Sequence, residues 1–330
     1  METHDLLIKA CEDDNPNVRK AAASALGDLR ANAAKNALVK LLRDKEPLVC
    51  EAAVYSLGKI NAVDAAEHIA KMLGGDGDLR KGIMQGVSLR GDEEADKPAP
   101  GGSPLPGGLG KKPTTNWRVR KAAALVLCRI RPDVAVHPLM EALSNENENV
   151  RVAALTGLGN MEAEEASPQI TELLKSESWE VRKSAASALG RIGRASAVPA
   201  LLGLFSDPRF AVRIEAVIAL NHIKSEASLE PMAAALKRDD NPDVRRTLAV
   251  AIGNMKADQS IPALAEACKD EAWQVRKAAV NALGNFRTRA AIQPVIEALA
   301  DQSDEVRMTA ATCYPRMAAA ASTEKGSDGA

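Results

Sequence analysis

Aromatic residues are nearly missing from this chain: three Trp, two Tyr and three Phe make up 2% of 330 residues. A core of stacked rings is therefore excluded, and the 46% hydrophobic fraction has to come mainly from Ala, Leu, Val and Ile, a palette that suits helices. Net charge is scarce as well. The 43 Lys and Arg against 44 Asp and Glu leave −1, so no global field draws the protein onto nucleic acid or an anionic membrane. Cysteine is sparse, odd in number and without a CxxC pair: Cys11, Cys50, Cys128, Cys268 and Cys313 fit neither a disulfide framework nor a zinc site, and a reducing, cytoplasmic compartment is expected. Long apolar runs are absent too. The opening METHDLLIKACEDD is charged within its first residues, so neither a signal peptide nor a membrane span is expected.

What the chain has in quantity is repetition. WEVRKSAASALGRIG at 179–193 returns as WQVRKAAVNALGNF at 273–286 and as PNVRKAAASALGDL at 16–29. Anchored on one valine, the copies fall at Val18, Val49, Val119, Val150, Val181, Val212, Val244, Val275 and Val306, spaced 31 residues apart except for one interval of 32 and one of 70. A period of 31 is too long for one helix and too short for a domain, which points to units that bury their apolar faces only against neighbours. Each unit resolves into two amphipathic helices. In the sixth, ASAVPALLGLFSD (195–207) is helix A, with Pro199 near its start. FAVRIEAVIALNHI (210–223) is helix B, with Asp207 placed to cap its first turn. Six units carry glycine nine residues after the anchor, at Gly27, Gly58, Gly159, Gly190, Gly253 and Gly284, where a side chain would hold the next helix away.

The stretch VRKSAASALGRIGRASAVPALL (181–202) resembles the HEAT repeat, in the short variety of the phycobilisome-lyase type. The resemblance implies an all-α fold, a right-handed α-solenoid of about nine two-helix repeats over residues 1–319, with A helices convex and B helices concave. It implies too that the recurrent Arg19, Arg120, Arg151, Arg182, Arg213, Arg245, Arg276 and Arg307 form a structural ladder, pairing with acids such as Asp207, Asp240 or Asp270 rather than with phosphates. Cys50 replaces the arginine in the second unit and breaks the ladder.

The 70-residue interval places an insertion at 74–116 in the turn of the third repeat. Its DLRKGIMQGVSLR (78–90) reads as a weak amphipathic helix, and the Gly- and Pro-rich 91–116 as disordered, as does a C-terminal tail at 320–330. The insertion is either a tolerated surface loop or a docking segment.

Chemical motifs fare poorly. GGLGKK lacks the phosphate-loop pattern, with Leu105 where Gly and Lys112 where Ser or Thr are needed. A relative that hydroxylates deoxyhypusine through paired irons needs His-Glu pairs, whereas His4, His68, His137 and His222 include none; no metal, cofactor or catalytic residue is expected. On the expected concave positions ten basic residues face eight acidic ones, and only Arg118, Lys121 and Arg129 beside Trp117 are locally basic, which disfavours nucleic acid.

The function expected is a non-enzymatic scaffold, monomeric, binding a protein or peptide on its B helices. The alternative, raised by the resemblance, is a bilin lyase-like subunit that presents a chromophore-carrying protein. The candidate site follows from residues that break the local pattern. Where most units place Lys, Ser, Thr or Asn, the sixth places Phe210, Ile214 and Ile218, four apart on one stripe, followed by His222. Val152 and Val250 extend the stripe, with Trp179 at its rim and Arg246 available for orientation.

Overall fold

The computed structural model describes residues 3–73, 116–286 and 288–324. The segment 78–90, residues 91–115 and the end 325–330 lie outside the described residues. Among those described, every regular element is helical. The A helices are α1 (Thr3–Ala10), α3 (Lys35–Leu41), α5 (Ala66–Lys71), α7 (Pro132–Ala142), α9 (Ser167–Glu172), α11 (Val198–Gly203), α13 (Leu229–Arg238), α15 (Ile261–Ala267) and α17 (Arg289–Glu297). The B helices are α2 (Pro16–Asp28), α4 (Pro47–Lys59), α6 (Trp117–Ile130), α8 (Glu148–Asn160), α10 (Trp179–Ile192), α12 (Phe210–Ile223), α14 (Pro242–Met255), α16 (Trp273–Leu283) and α18 (Asp304–Glu324). The chain is an all-α solenoid, its helices gathered into two compact units, residues 1–157 and 158–330. In the first, α2 packs on α4 and α4 on α6; in the second, α10, α12, α14, α16 and α18 pack each on the next. The A helices α1, α3, α5, α9, α11, α13, α15 and α17 lie against their own B partners.

Two expectations need correction. The α-helical part of the sixth A helix is short, Val198–Gly203, with 3-10 turns at Ala195–Ala197 and Leu204–Ser206 taking up its ends. The tail expected from 320 does not begin there, because α18 continues to Glu324.

The core is small and aliphatic. Val181, Leu189, Val212, Leu220, Val244 and Ile252 are fully buried on successive B helices, each contributing roughly 1.5–3 kcal/mol as it leaves water. The glycines set the spacing between these helices. A Cβ on Gly190 would stand 2.6 Å from the Ala219 Cα, and one on Gly253 2.5 Å from the Ala282 Cβ, so the C-terminal halves of adjacent B helices touch through backbone. Cys128 fills this slot in the third repeat, and there the facing alanine has become Gly157, whose added Cβ would meet the Cys128 Sγ at 2.3 Å. Volume has been moved across the interface and not added to it.

The arginine ladder holds the opposite ends. Arg182 donates from Nε and Nη2 to Asp207 at 2.6 and 3.0 Å, and from Nη1 to the Ser176 and Glu177 carbonyls at 2.8 and 2.9 Å. The same fork joins Arg19 to Asp44, Arg213 to Asp239, Arg245 to Asp270 and Arg276 to Asp301. Asp240, expected as a partner, accepts only a second bond, at 2.5 Å from Arg213. Nor does Asp207 cap a helix: it accepts from the Arg209 N–H at 2.9 Å and orders the turn ahead of α12. The ladder fails where its acid is missing. Asn145 stands 25 residues after Arg120, whose buried Nε has no partner among the described residues, and in the second repeat the Cys50 thiol takes the carbonyl contact instead, 3.2 Å from the Asp44 oxygen.

These pairs make stability depend on acid. The Arg19 bonds hold the Asp44 carboxyl below its usual range, and the Arg276 bonds do the same for Asp301. At Asp207 and Asp270 burial alone would raise the carboxyl, but hydrogen bonds from arginine and from the turn N–H overcome it, and both are lowered. A carboxyl lowered in the folded state contributes stability that is complete above its unfolded pKa and lost as pH falls past it. Unfolding free energy should therefore stay level from neutral pH to about 5 and drop below about pH 4. Denaturant titrations across that range should show a shallower acid slope for Asp207→Asn than for the native chain.

Candidate functional site

Because the B helices stack in register, equivalent side chains form rows that run across them. On the second unit the row two before the anchor reads Trp179, Phe210, Pro242, Trp273, and the row two after it Lys183, Ile214, Arg246, Lys277, Met308. The row six after it reads Ser187, Ile218, Val250, Asn281. Apolar residues in these rows cluster and stay in contact with solvent. Phe210 is 49% exposed, Val250 44%, Trp273 40% and Met308 59%, while Ile214 and Ile218 are half-buried between them. The isoleucines are partly core, and the residues around them are not.

Between α14 and α16 the face dips into a groove of about 450 Å³, lined by Arg246, Val250, Trp273, Lys277 and Asn281. Its floor is apolar and its rim is cationic. Lys277 lies 5.9 Å from the Trp273 ring and 2.5 Å from Glu305, and Arg246 stands 3.5 Å from Asp243. Trp179 is half-buried under the Arg209 guanidinium, 5.3 Å from its ring, which ties the start of α10 to the start of α12.

Of the residues singled out from sequence, Phe210, Ile214, Ile218, Val250, Arg246 and Trp179 therefore share one face of the second unit. His222 does not continue the stripe: it is exposed where α12 ends, among Asn221 and Lys224, where the surface turns polar. Val152 is half-buried on α8 in the first unit. Sequence reasoning missed Trp273 and Met308, and also a second apolar patch on the first unit. There Leu48, Tyr55 and Leu125 are exposed around a groove of about 440 Å³ edged by Lys20, Lys59 and Arg129. Tyr55 and Leu125 occupy the same row as Ile218 and Val250, so the test that found the stripe would have found them.

The HEAT-repeat model matches residues 4–86, 112–177, 167–240 and 229–314, nearly the whole chain. The chain belongs to the HEAT-repeat family. No curated protein sequence matched it. Among solved structures an engineered protein is similar at 21% identity and a TM-score of 0.53, over 96% of this chain and 89% of that one. The E. coli protein YibA is similar at 18% and 0.55, over 88% and 96%. Importin beta gives 14% and 0.63 over 96% of this chain but 45% of its own, so the likeness is one of fold.

HEAT-repeat packing also decides what the other reactive groups can do. Burial pushes the Cys128 thiol up to about 11 and the Cys268 thiol up to about 12, far from the thiolate a nucleophile or metal ligand requires. Cys11 and Cys50 are raised by burial as well. Among the described residues no group of three or more His, Cys, Asp or Glu is placed to hold a metal ion, and no helix is long and apolar enough to cross a membrane.

Proposed function

We propose that this HEAT-repeat chain is a non-enzymatic, cytoplasmic scaffold that docks a protein or peptide on the B-helix face of its second unit. A single observation carries the reading. Val250 and Met308 are apolar where most sibling helices carry a polar or charged residue, and with Phe210 and Trp273 they form apolar surface that is 40–59% exposed. Contiguous exposed apolar surface with a polar surround is characteristic of protein contact sites. Ile214 and Ile218 support it from below, Trp179 stiffens one rim, and Arg246 and Lys277 set the polarity of what approaches. HEAT solenoids commonly serve in protein interaction; one fold neighbour of 15% identity, Kap95p, is described as bound to RanGDP. The phycobilisome-lyase specificity and a bilin lyase-like role draw on the repeat resemblance alone.

The test uses exposed positions so that folding is not in question. A Phe210→Ser, Val250→Ser chain should melt like the native one, with stability within about 0.5 kcal/mol. Affinity capture from native extract should lose the partners that the native chain retains. A variant that keeps every partner would contradict the reading.

A further inference from the structure

A second groove in the same unit, of about 780 Å³, runs along the C-terminal ends of the B helices and differs in character from the apolar face. It is lined by residues nine and ten after the anchors and by the turn residues just beyond. Four of the lining residues are asparagines, Asn160, Asn221, Asn254 and Asn285, contributed by α8, α12, α14 and the turn after α16. Asn160, Asn254 and Asn285 stand ten residues after their anchors and Asn221 nine, with Arg191 and His222 at the ten-after position of α10 and α12. Asn221 stands in the glycine slot of α12, nine residues after Val212, and reaches across to the end of α14. Asn254 Nδ2 donates to Asn221 Oδ1 at 3.3 Å, and Arg191 donates to Asn160 Oδ1. Among the described residues each interlocked pair keeps a free amide donor: Asn221 Nδ2 in one, Asn160 Nδ2 in the other. Asn254 Oδ1 remains as an acceptor, and the Asn285 side chain makes no hydrogen bond among the described residues.

The charge of the groove is one-sided. Arg191, Lys224 and Lys256 line it against the single carboxylate of Glu162, and among the described residues neither lysine has an acidic partner. Cations at comparable repeat positions are neutralised, Lys59 by Asp28 in the first unit and Arg194 by Glu164 in the second. Lys224 and Lys256 stand at left-handed turn positions, φ 53° and 52°, where Gly193 serves in the preceding repeat. No Trp, Tyr or Phe lines the groove, and its one ring is the imidazole of His222.

We infer that this groove takes an acidic peptide segment in the polyproline II conformation. Packed helices lie roughly 8–10 Å apart. A polyproline II strand advances about 9.3 Å in three residues and presents the same face at each step, so successive repeats meet equivalent peptide positions. A fully extended strand covers a similar length in three residues but turns its opposite face to every second repeat. Polyproline II backbone has no internal hydrogen bonds, which leaves its carbonyl and N–H groups for the amides, while its acidic side chains meet Arg191, Lys224 and Lys256. The inference deepens the scaffold reading, but its site is separate from the apolar face, so each can fail without the other.

The experiment measures fluorescence anisotropy of a labelled peptide of repeating Glu-Pro-Pro on the full chain. Repeating Lys-Pro-Pro, repeating Glu-Gly-Gly and oligo-deoxythymidine of similar length serve as comparison probes. Glu-Pro-Pro should bind more tightly than the other three and weaken with added salt. Asn254→Ala with Asn285→Ala should reduce its affinity about tenfold or more, as should Lys224→Glu with Lys256→Glu, with unchanged melting in both cases. Phe210→Ser with Val250→Ser should leave it intact. Equal binding of Glu-Gly-Gly, tighter binding of oligo-deoxythymidine, indifference to the asparagine pair, or no binding at all would overturn the inference.

Discussion

Replacing Arg182 by alanine is expected to cost about 3 kcal/mol or more of folding stability, the effect of leaving one buried charge without its counter-ion. Its fork reaches Asp207, whose side chain is 4% exposed against 12% for the arginine, and two turn carbonyls besides. With the guanidinium gone, water reaches neither the carboxylate nor the carbonyls well, and the turn before α12 loses its anchor. Two comparisons separate this from a general loss of bulk. Arg151 grips the Asn145 and Glu146 carbonyls in the same way, but the residue 25 positions on is Ser176, so Arg151→Ala should cost only about 1–1.5 kcal/mol. Adding Asp207→Asn to Arg182→Ala should recover part of the loss, because the stranded charge is removed. Denaturant unfolding of the four proteins measures all of this. Equal losses for Arg151 and Arg182 would mean that the carbonyl contacts, and not the ion pair, hold the ladder together.

Gly190→Ala is expected to destabilise the second unit by about 1–3 kcal/mol, although alanine is the better helix former. The new methyl would lie 2.6 Å from the Ala219 Cα and 2.7 Å from its Cβ, and a backbone atom cannot rotate aside, so α10 and α12 must part. Gly203 is the internal control. It has helical backbone angles, and a Cβ there would meet nothing within 4 Å, so Gly203→Ala should stabilise by about 0.5–1 kcal/mol. Opposite signs for two glycine-to-alanine changes separate packing from propensity. Thermal or denaturant melts of the two variants decide it, and a gain at Gly190 would show that the helices are not held at backbone contact.

The period-31 register made the helix pairs legible, because the anchor valines and the glycine slot recur at fixed offsets and both mark buried contacts. The arginine ladder was legible in kind but not in partner. Asp239 and Asp240 are adjacent, and only geometry shows that Asp239 takes the bidentate bond while Asp240 faces solvent. The stripe of Phe210, Ile214, Ile218 and Val250 was visible as apolar residues at polar positions. Its degree of exposure was not, since that depends on how closely neighbouring helices approach. The place of Trp273 in a groove with Val250 emerges only when rows from different helices are laid side by side. The asparagine groove escaped for the same reason. Each helix contributes one unremarkable polar residue at its end, and the pattern exists only across repeats.

The most direct test of the docking surface places a photoreactive benzophenone side chain at single positions in otherwise native chains and asks which ones crosslink to a partner in native extract. Positions 210, 250 and 308, exposed on the B-helix face, should give the same crosslinked species. Position 237, exposed on α13 on the A-helix side, should give none. Crosslinks from 237 with none from 210, 250 and 308 would contradict the account and move the contact surface to the A helices.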